Sequence, residues 1–190
     1  MNLFHRWYCN SSGWARNLQG SMMPWTLDGV DLGDNVLEIG PGPGLSTDWL
    51  RPKVAQLTSV EIDHQLAESL KRRMDDTNVT VLEGDATDLP FPDASFSAVV
   101  CFTMLHHVPS PELQDRLLAE ARRVLQPGGL FAGTDSIPNL RWNIAHVFDT
   151  RVPVDPDTFG GRLETVGFAD ATVDRASDVF RFRARKSEGK

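Results

Sequence analysis

The chain has 190 residues, 41% of them hydrophobic, which favours one domain with a full core. Its net charge of −7 at pH 7 argues against an extended surface for nucleic-acid phosphates. No apolar run approaches the roughly 20 residues that a membrane-spanning helix needs, so we expect no such helix.

Cysteine content and the N-terminal segment narrow the expected setting further. Cys9 and Cys101 are too few for a disulfide framework or a zinc site. No spaced cluster of histidines and carboxylates stands out, so we expect no metal. Residues 1–17 lack the apolar stretch of a secretory signal, and we therefore expect a cytoplasmic protein.

Strands and helices alternate along most of the chain. Apolar runs predict buried strands at residues 35–39, 57–62, 78–84, 96–102 and 130–135. Helices are predicted between them, with Asp63 and Ser110 as caps of the second and third. A further helix follows Asp155, and strands at 169–176 and 178–186 close the chain. The basic run in the last strand, FRFRARK, alternates so that its arginines are predicted to face water.

This alternation predicts an α/β fold of the Rossmann-like, doubly wound type. We expect a mostly parallel, seven-stranded sheet with helices on both faces. The last two strands are too closely linked for a crossover helix, so one of them must run antiparallel, as a hairpin. Ligands of such sheets bind beyond the carboxyl ends of the strands, near the point where strand order reverses.

A glycine-rich turn after the first strand lies at that expected edge. The segment VLEIGPGPG puts Glu38 two residues before three glycines, which allow a ligand to approach the backbone closely. A dinucleotide fingerprint would need Gly or Ala where Leu45 stands, and no lysine follows to form a P-loop. Glu61, about 20 residues further on, suits the two hydroxyls of a ribose. These residues fit any adenosine ligand with a free ribose.

Five segments occur in the order and spacing of a known family: VLEIGPGPG, SVEID, LEGDATDLPF, FSAVVCFTMLHHV and RVLQPGGLF. Over residues 35–135, and more loosely over the last helix and two strands, the chain resembles class I S-adenosylmethionine (SAM)-dependent methyltransferases. The resemblance implies SAM as methyl donor and S-adenosylhomocysteine as product. It also implies one domain over 1–190, with an N-terminal helical cap (1–34), a SAM-binding core (35–135), a lid (136–154) and a C-terminal helix with two strands (155–190).

Carried over by position, the resemblance implies a cofactor site at the sheet edge. Glu38 would lie near the amino group of SAM, Glu61 would hold the ribose hydroxyls, and Asp85 would accept from the adenine amino group. The other positions would offer backbone or apolar contacts: Gly40, Pro41, Gly42 and Gly44 to the methionine part, Ile62 and Ala86 to adenine, and Phe102 to the methionine part. Each also has a structural alternative; Asp85, for example, could be an ordinary turn aspartate.

The acceptor is less well defined by the sequence. The opening motifs also resemble ribosomal RNA adenine dimethyltransferases, but those carry an Asn-x-Pro-aromatic motif where this chain has Phe102. The acidic balance and this departure both argue against a nucleic-acid partner. MLHHV followed by RVLQPGG resembles methyltransferases that act on small molecules, lipids or quinone-like metabolites. A small-molecule acceptor, with oxygen as the first choice of nucleophile, is predicted; an RNA or protein methyltransferase and a catalytically silent SAM-binding module are the alternatives.

Two histidines are the candidate catalytic residues. An oxygen nucleophile benefits from a base, and we expect His107 to face the acceptor, with His106 as second choice. The alternative is that both only fix their loop by hydrogen bonding.

Two segments are expected to shape an acceptor pocket. Trp14 lies in the aromatic and methionine-rich stretch before the first strand, and Arg141, Trp142 and His146 lie in the predicted lid. Equally, the aromatics could merely cover the sheet edge. Either a monomer or a homodimer is compatible with the sequence.

Overall fold

The computed structural model describes residues 11–138 and 151–188. Its strands are β1 (Asn35–Ile39), β2 (Gln56–Glu61), β3 (Val79–Glu83), β4 (Phe96–Phe102), β5 (Leu125–Ser136), β6 (Phe168–Arg175) and β7 (Val179–Lys186). Its α-helices are α1 (Ser12–Asn17), α2 (Met23–Leu27), α3 (Leu45–Leu50), α4 (His64–Arg73), α5 (Pro111–Val124) and α6 (Pro156–Thr165). A π-helical segment (Leu18–Met22) joins α1 to α2, and 3₁₀ turns lie at Arg51–Lys53 and Leu105–His107.

All seven described strands form one sheet in the order β3-β2-β1-β4-β5-β7-β6. The strands β1 to β5 pair in parallel, and β7 runs antiparallel to both β5 and β6. The predicted Rossmann-like fold and its antiparallel hairpin are thereby confirmed. Strand order reverses between β1 and β4, so the carboxyl ends of these two strands define the ligand-binding crevice.

Apolar side chains cover the sheet on both faces. On one face, Leu37 and Ile39 of β1 belong to a cluster that includes buried residues of α5 and α6. On the other, Val36 belongs to a cluster with buried residues of α2, α3 and the π-helical segment. Successive residues of β1 therefore serve opposite layers, as the strand period of two requires. Among the described helices, none is long and apolar enough to cross a membrane.

The two helix caps predicted from the sequence, Asp63 and Ser110, are present, and Asp155 caps the helix that was predicted to follow it. The side chains of Asp63, Ser110 and Asp155 accept hydrogen bonds from backbone N–H groups two or three residues further on, at 3.1, 3.2 and 3.0 Å. These bonds satisfy donors that the first turn of a helix leaves unpaired.

The start of β5 differs from the prediction. The strand begins at Leu125 rather than at residue 130, because Leu125 pairs with Phe96 before the ladder shifts and resumes at Leu130. The glycines of QPGG thus lie at an irregularity within β5. The helix α5 ends before QPGG, as predicted, but no loop separates α5 from β5.

The prediction that the arginines of β7 face water is wrong for two of them. Arg183 donates to the carbonyl oxygens of Thr26 and Asp28 at 2.7 and 3.0 Å, and Arg181 donates to that of Trp25. The Arg181 guanidinium also lies 4.8 Å from the centre of the Trp25 ring. The last carbonyls of a helix lack partners within it, so α2 attracts these cations.

Gly133 is where β4, β5 and β7 approach too closely for a side chain. A Cβ there would overlap the carbonyl oxygen of Cys101 and lie 2.7 Å from the Phe182 ring. We expect Gly133→Ala to lower the free energy of unfolding by about 3 kcal/mol or more. Gly161→Ala is the control, since a Cβ at this exposed position in α6 meets no atom within 4 Å and should stabilise the helix by up to about 1 kcal/mol. Urea titrations of both variants test this, and equal stabilities would contradict it.

Candidate active site

The glycine turn links β1 to α3 through a left-handed backbone. Gly40, Gly42 and Gly44 have φ angles of +64°, +55° and +86°, which side chains rarely tolerate. The Gly40 N–H donates to the carbonyl of Val60 in β2 at 2.9 Å. From α4, Arg73 donates to the carbonyl of Pro43 at 2.8 Å. Hydrogen bonds from β2 and from α4 therefore both hold the turn.

The three glycines have different surroundings. A Cβ on Gly44 would collide with Leu70 and Arg73 of α4, and one on Gly40 would lie 3.1 Å from the Met104 side chain. A Cβ on Gly42 would meet no heavy atom within 4 Å. Gly44 therefore allows close packing, whereas Gly42 exposes its backbone to open space that a ligand can fill. Pro41, between Gly40 and Gly42, is buried.

Glu38 is a buried carboxylate on β1. Its Oε2 accepts from the hydroxyls of Thr47 and Ser59, at 2.6 and 2.8 Å, while its Oε1 has no hydrogen-bond partner among the described residues. Burial raises the pKa of Glu38 above its ordinary value, and the hydroxyl donors oppose that rise. A buried acceptor without a partner is costly, so Oε1 is suited to a cationic donor from a ligand.

Glu61, at the end of β2, is tied to the same turn. Its Oε2 accepts from the Gly42 N–H at 2.8 Å, and its Oε1 from the Asp63 N–H at 3.0 Å. Burial raises the pKa of Glu61, against the lowering effect of these backbone donors. A carboxylate has about four lone-pair sites, so these bonds leave roughly one on each oxygen, which matches the two hydroxyls of a ribose.

The neighbouring positions combine an exposed apolar side chain with a polar turn. Ile62 is 68% exposed, the only large hydrophobic side chain among the described residues that is classed as exposed. Asp85 follows β3, and its Oδ1 accepts from the Thr87 N–H at 2.8 Å, so it does serve the turn. Ala86 beside it is buried. Glu61 lies opposite Glu83 in the parallel register of β2 and β3, so the residues that follow these strands lie at one edge of the sheet.

Beyond β4 the chain turns sharply at the strand-order reversal. Phe102 is buried, and Thr103 adopts φ +50° while its N–H donates to the Thr134 carbonyl at 2.7 Å. A β-branched residue in this region is strained and must be held by its surroundings. The 3₁₀ turn with both candidate histidines follows directly.

The two histidines differ in their environment. His106 is buried, its N–H donates to Asp135 Oδ2 at 2.9 Å, and its Nδ1 bonds to Asp135 Oδ1. His107 is half-buried, and its ring centre lies 4.2 Å from that of His106. Hydrogen bonding therefore fixes the position of His106, as the alternative in the sequence analysis allowed, while the catalytic role of either histidine stays a prediction.

Two residues that the sequence analysis missed hold this turn. Asp135 is a polar residue near the end of the buried strand β5, and Gln114 interrupts the apolar stripe of α5. A polar residue in an apolar pattern was the available signal. The buried Gln114 amide donates to the carbonyls of Leu105 and Val152, at 3.2 and 2.8 Å. The Val152 N–H donates to the His106 carbonyl at 2.8 Å.

The candidate acceptor contacts are only partly described. Trp14 is half-buried and packs against the apolar cluster on the sheet face that α2, α3 and the π-helical segment cover. Arg141, Trp142 and His146 lie outside the described residues. Within residues 11–138 and 151–188, no group of three or more His, Cys, Asp or Glu side chains could hold a metal ion.

The sequence of this chain is similar to those of known proteins. Residues 37–133 match the family described as a methyltransferase domain. The chain is 37% identical over 110 residues to a fatty-acid O-methyltransferase of Mycolicibacterium smegmatis, covering 56% of this chain and 38% of that protein. It is 35% identical over 104 residues to a demethylmenaquinone methyltransferase of Tropheryma whipplei, covering 53% and 41%. The chain thus spans about two fifths of the length of these curated relatives.

A solved structure shares the fold at low sequence identity. Phosphoethanolamine N-methyltransferase 2 of Haemonchus contortus, in complex with S-adenosyl-L-methionine, matches with a TM-score of 0.77 and 14% identity. The match covers 98% of this chain and 60% of that one. At this identity the likeness supports the fold alone.

The open space beside Gly42 predicts a selective effect on ligand binding. Gly42→Ala and Gly29→Ala should each lower the free energy of unfolding by roughly 1–2 kcal/mol, because both glycines have positive φ and room for a Cβ. Only Gly42→Ala should weaken binding of S-adenosylhomocysteine, by about tenfold or more in calorimetry. Equal loss of affinity in the two variants would show that backbone strain, not a filled ligand space, is responsible.

The raised pKa of Glu38 predicts a stability that depends on pH. The folded state binds the carboxyl proton of Glu38 more tightly than the unfolded state does. Ionisation of Glu38 therefore lowers the stability of the protein as pH rises from 4.5 through the raised pKa. Glu38→Gln should therefore be the more stable protein at pH 7, with its advantage shrinking toward pH 4.5. Its affinity for S-adenosylmethionine should fall by roughly 10- to 100-fold, as expected for a lost bond to a charged group.

Glu120→Gln is the control of opposite sign. In the parent protein, the hydrogen bond of Glu120 with Arg123 lowers the pKa of Glu120. The stability that ionised Glu120 contributes is therefore present above pH 4.5 and is lost as pH falls through the lowered pKa. Thermal unfolding of both variants between about pH 3 and pH 7 measures the two trends. A Glu38→Gln protein that is less stable at pH 7 would refute the effect of burial.

Proposed function

Because the chain belongs to the methyltransferase domain family and has the fold of class I SAM-dependent methyltransferases, we propose that it transfers a methyl group from SAM to a small-molecule acceptor. The observation that carries the proposal is the buried Oε1 of Glu38, without a described partner, beside a glycine turn whose backbone at Gly42 borders open space. This combination fits a ligand with a cationic amino group close to the sheet edge.

In this proposal the polar half of the donor lies against the glycine turn. Glu38 accepts from its amino group, while Gly40, Pro41, Gly42 and Gly44 form the wall beside its methionine part. The left-handed backbone of the turn supports this role, since side chains at these positions would be strained or would fill the ligand's space.

The adenosine half lies against the ends of β2 and β3. Glu61 accepts from the two ribose hydroxyls with its remaining lone pairs, and exposed Ile62 covers one face of adenine. Asp85 accepts from the adenine amino group, with the backbone of Ala86 nearby. Phe102, at the end of β4, offers backbone to the methionine part.

The acceptor is proposed to be a small molecule with apolar character. The two curated relatives are named for a fatty acid and for demethylmenaquinone, which supports this class without fixing the acceptor atom. The net charge of −7 gives no support to an RNA acceptor. Trp14 and, in the segment outside the description, Arg141, Trp142 and His146 are the proposed acceptor contacts.

The chain contributes alignment and exclusion of water to the reaction. When bound, SAM supplies an electrophilic methyl group on a sulfonium. Met104, in the same segment as His106 and His107, lies against Gly40, which supports a position of these histidines beside the proposed donor site. Holding acceptor and donor in line is the larger part of the rate gain, because displacement at a methyl group needs little other chemistry.

A labelled-methyl screen tests the proposal. The protein is incubated with SAM carrying a tritiated methyl group and, in parallel, with a metabolite extract, total RNA and a protein lysate. We expect label in an organic-soluble small molecule, identified by mass spectrometry, and less of it after Gly42→Ala when SAM is not saturating. Label in RNA or protein would replace the proposed acceptor class. Label in no fraction, with calorimetric binding of SAM intact, would indicate a SAM-binding module without turnover.

A further inference from the structure

We propose that Glu120 and Arg123, near the end of α5, are positioning residues that set the base selectivity of the donor site. They fix the segment between β3 and β4, which carries Asp85 and Ala86. The inference rests on the proposed function, in which Asp85 accepts a hydrogen bond from the adenine amino group. It gives a role in the choice of purine to two residues that are not among the proposed donor contacts.

The segment that carries Asp85 contains no helix or strand of its own; it begins directly after β3 and ends where β4 begins. Its first residue, Gly84, is anchored to β2, because its N–H donates to the Glu61 carbonyl at 3.0 Å. The N–H of Thr87 donates to the Asp85 side chain at 2.8 Å, and that of Asp88 to the Asp85 carbonyl at 3.0 Å. These last two bonds lie within the turn, so its position depends on what holds the far end.

Glu120 and Arg123 hold the far end of the turn through Leu89. The Leu89 N–H donates to Glu120 Oε2 at 2.9 Å, and the Leu89 carbonyl accepts from Arg123 Nη2 at 2.9 Å. One pair of side chains thus binds both backbone polar groups of a single residue. The Leu89 side chain is buried in the same apolar cluster as Ala86. The turn with Asp85 therefore lies between two fixed points.

The Arg123 guanidinium joins several parts of the structure at once. Its Nε and Nη2 donate to the two oxygens of Glu120, at 2.8 and 2.7 Å, and its Nη1 donates to the Phe91 carbonyl at 2.7 Å. The hydrogen bond from Arg123 lowers the pKa of Glu120, so the pair is ionised at neutral pH. A planar guanidinium has enough donors in fixed directions for all these bonds, whereas the single ammonium of a lysine does not.

A carboxylate in a fixed position can distinguish one purine from another. Adenine has an amino donor on its six-membered ring, where hypoxanthine has a carbonyl oxygen and, beside it, a ring N–H. A carboxylate of Asp85 that is held opposite the amino group accepts from adenine, but in hypoxanthine it faces a carbonyl oxygen, which cannot donate. A carboxylate that is free to shift along the ring accepts from the ring N–H instead and binds both bases. Selectivity therefore depends on how firmly Asp85 is held.

Arg122, the neighbour of Arg123 in α5, offers a matched control. It is half-buried like Arg123, but its described hydrogen bond runs from Nε to the Gly167 carbonyl, at 2.8 Å, just after α6. Arg122→Met and Arg123→Met each remove a guanidinium from the same helical turn and keep an apolar stem of similar length. Only Arg123→Met releases Leu89.

The first test compares two ligands by calorimetry, S-adenosylhomocysteine and S-inosylhomocysteine, which carries hypoxanthine. We expect the parent protein and Arg122→Met to prefer the adenine ligand by about 100-fold, the effect of one bond to a charged group. In Arg123→Met the preference should fall to about tenfold or less, mainly because the inosine ligand no longer meets a fixed carboxylate. Arg123→Lys keeps a positive charge beside Glu120 but loses the fork of donors, so it should also fall below the parent. A general loss of structure would weaken both ligands and leave their ratio unchanged.

The second test needs no ligand. Amide hydrogen exchange, followed by NMR, reports how often the Leu89 N–H is released from Glu120. We expect this exchange to be faster in Arg123→Met than in Arg122→Met, by about tenfold or more, when both are measured under conditions where global unfolding is rare.

The outcomes separate the inference from the proposed function. A parent protein that binds both ligands equally, or a preference that is unchanged in both Arg123 variants, would overturn the inference while SAM binding stands. Equal exchange of the Leu89 N–H in Arg122→Met and Arg123→Met would overturn the positioning role. Absence of calorimetric heat with SAM and with S-adenosylhomocysteine would refute the proposed function, and the proposed selectivity with it, even if the exchange rates showed that the pair holds Leu89.

Discussion

The buried carboxylate of Glu38 is the constraint on which the carboxyl edge of the sheet depends. Its Oε2 accepts from hydroxyl donors of α3 and β2, so it ties these two elements to β1. The glycine turn then has to leave β1 and reach α3 without covering the second oxygen. Gly40, Gly42 and Gly44 give the turn a left-handed backbone along this path, which side chains at these three positions would strain.

Glu61 extends this constraint to the second half of the edge. By accepting from the Gly42 N–H, it links the end of β2 to the turn that Glu38 anchors. Met104 lies against Gly40 and precedes His106 by two residues and His107 by three, so it links the glycine turn to the turn that carries both histidines. The edge is therefore one connected structure, so a change in the glycine turn also affects the turn with the two histidines.

Much of the fold and part of the site could be predicted from the sequence. The bounds of β1 and β4 agree with the prediction, because each is a short apolar run that ends at a turn signal, and the family prediction is confirmed. The start of β5 was missed because QPGG resembles a loop although the strand passes through it. Asp135 could not be assigned to His106, since their contact depends on how β4 and β5 are aligned. Nor does any local pattern reveal that Arg73 would support the turn.

The arginines of β7 connect the two ends of the described chain. The carbonyls of Trp25 and Thr26 in α2 accept from arginines that lie more than 150 residues later in the chain, in β7. Contacts of such long sequence separation form late and slowly. On the ribosome, α2 therefore emerges long before Arg181 and Arg183, and its apolar face waits for the sheet to be completed.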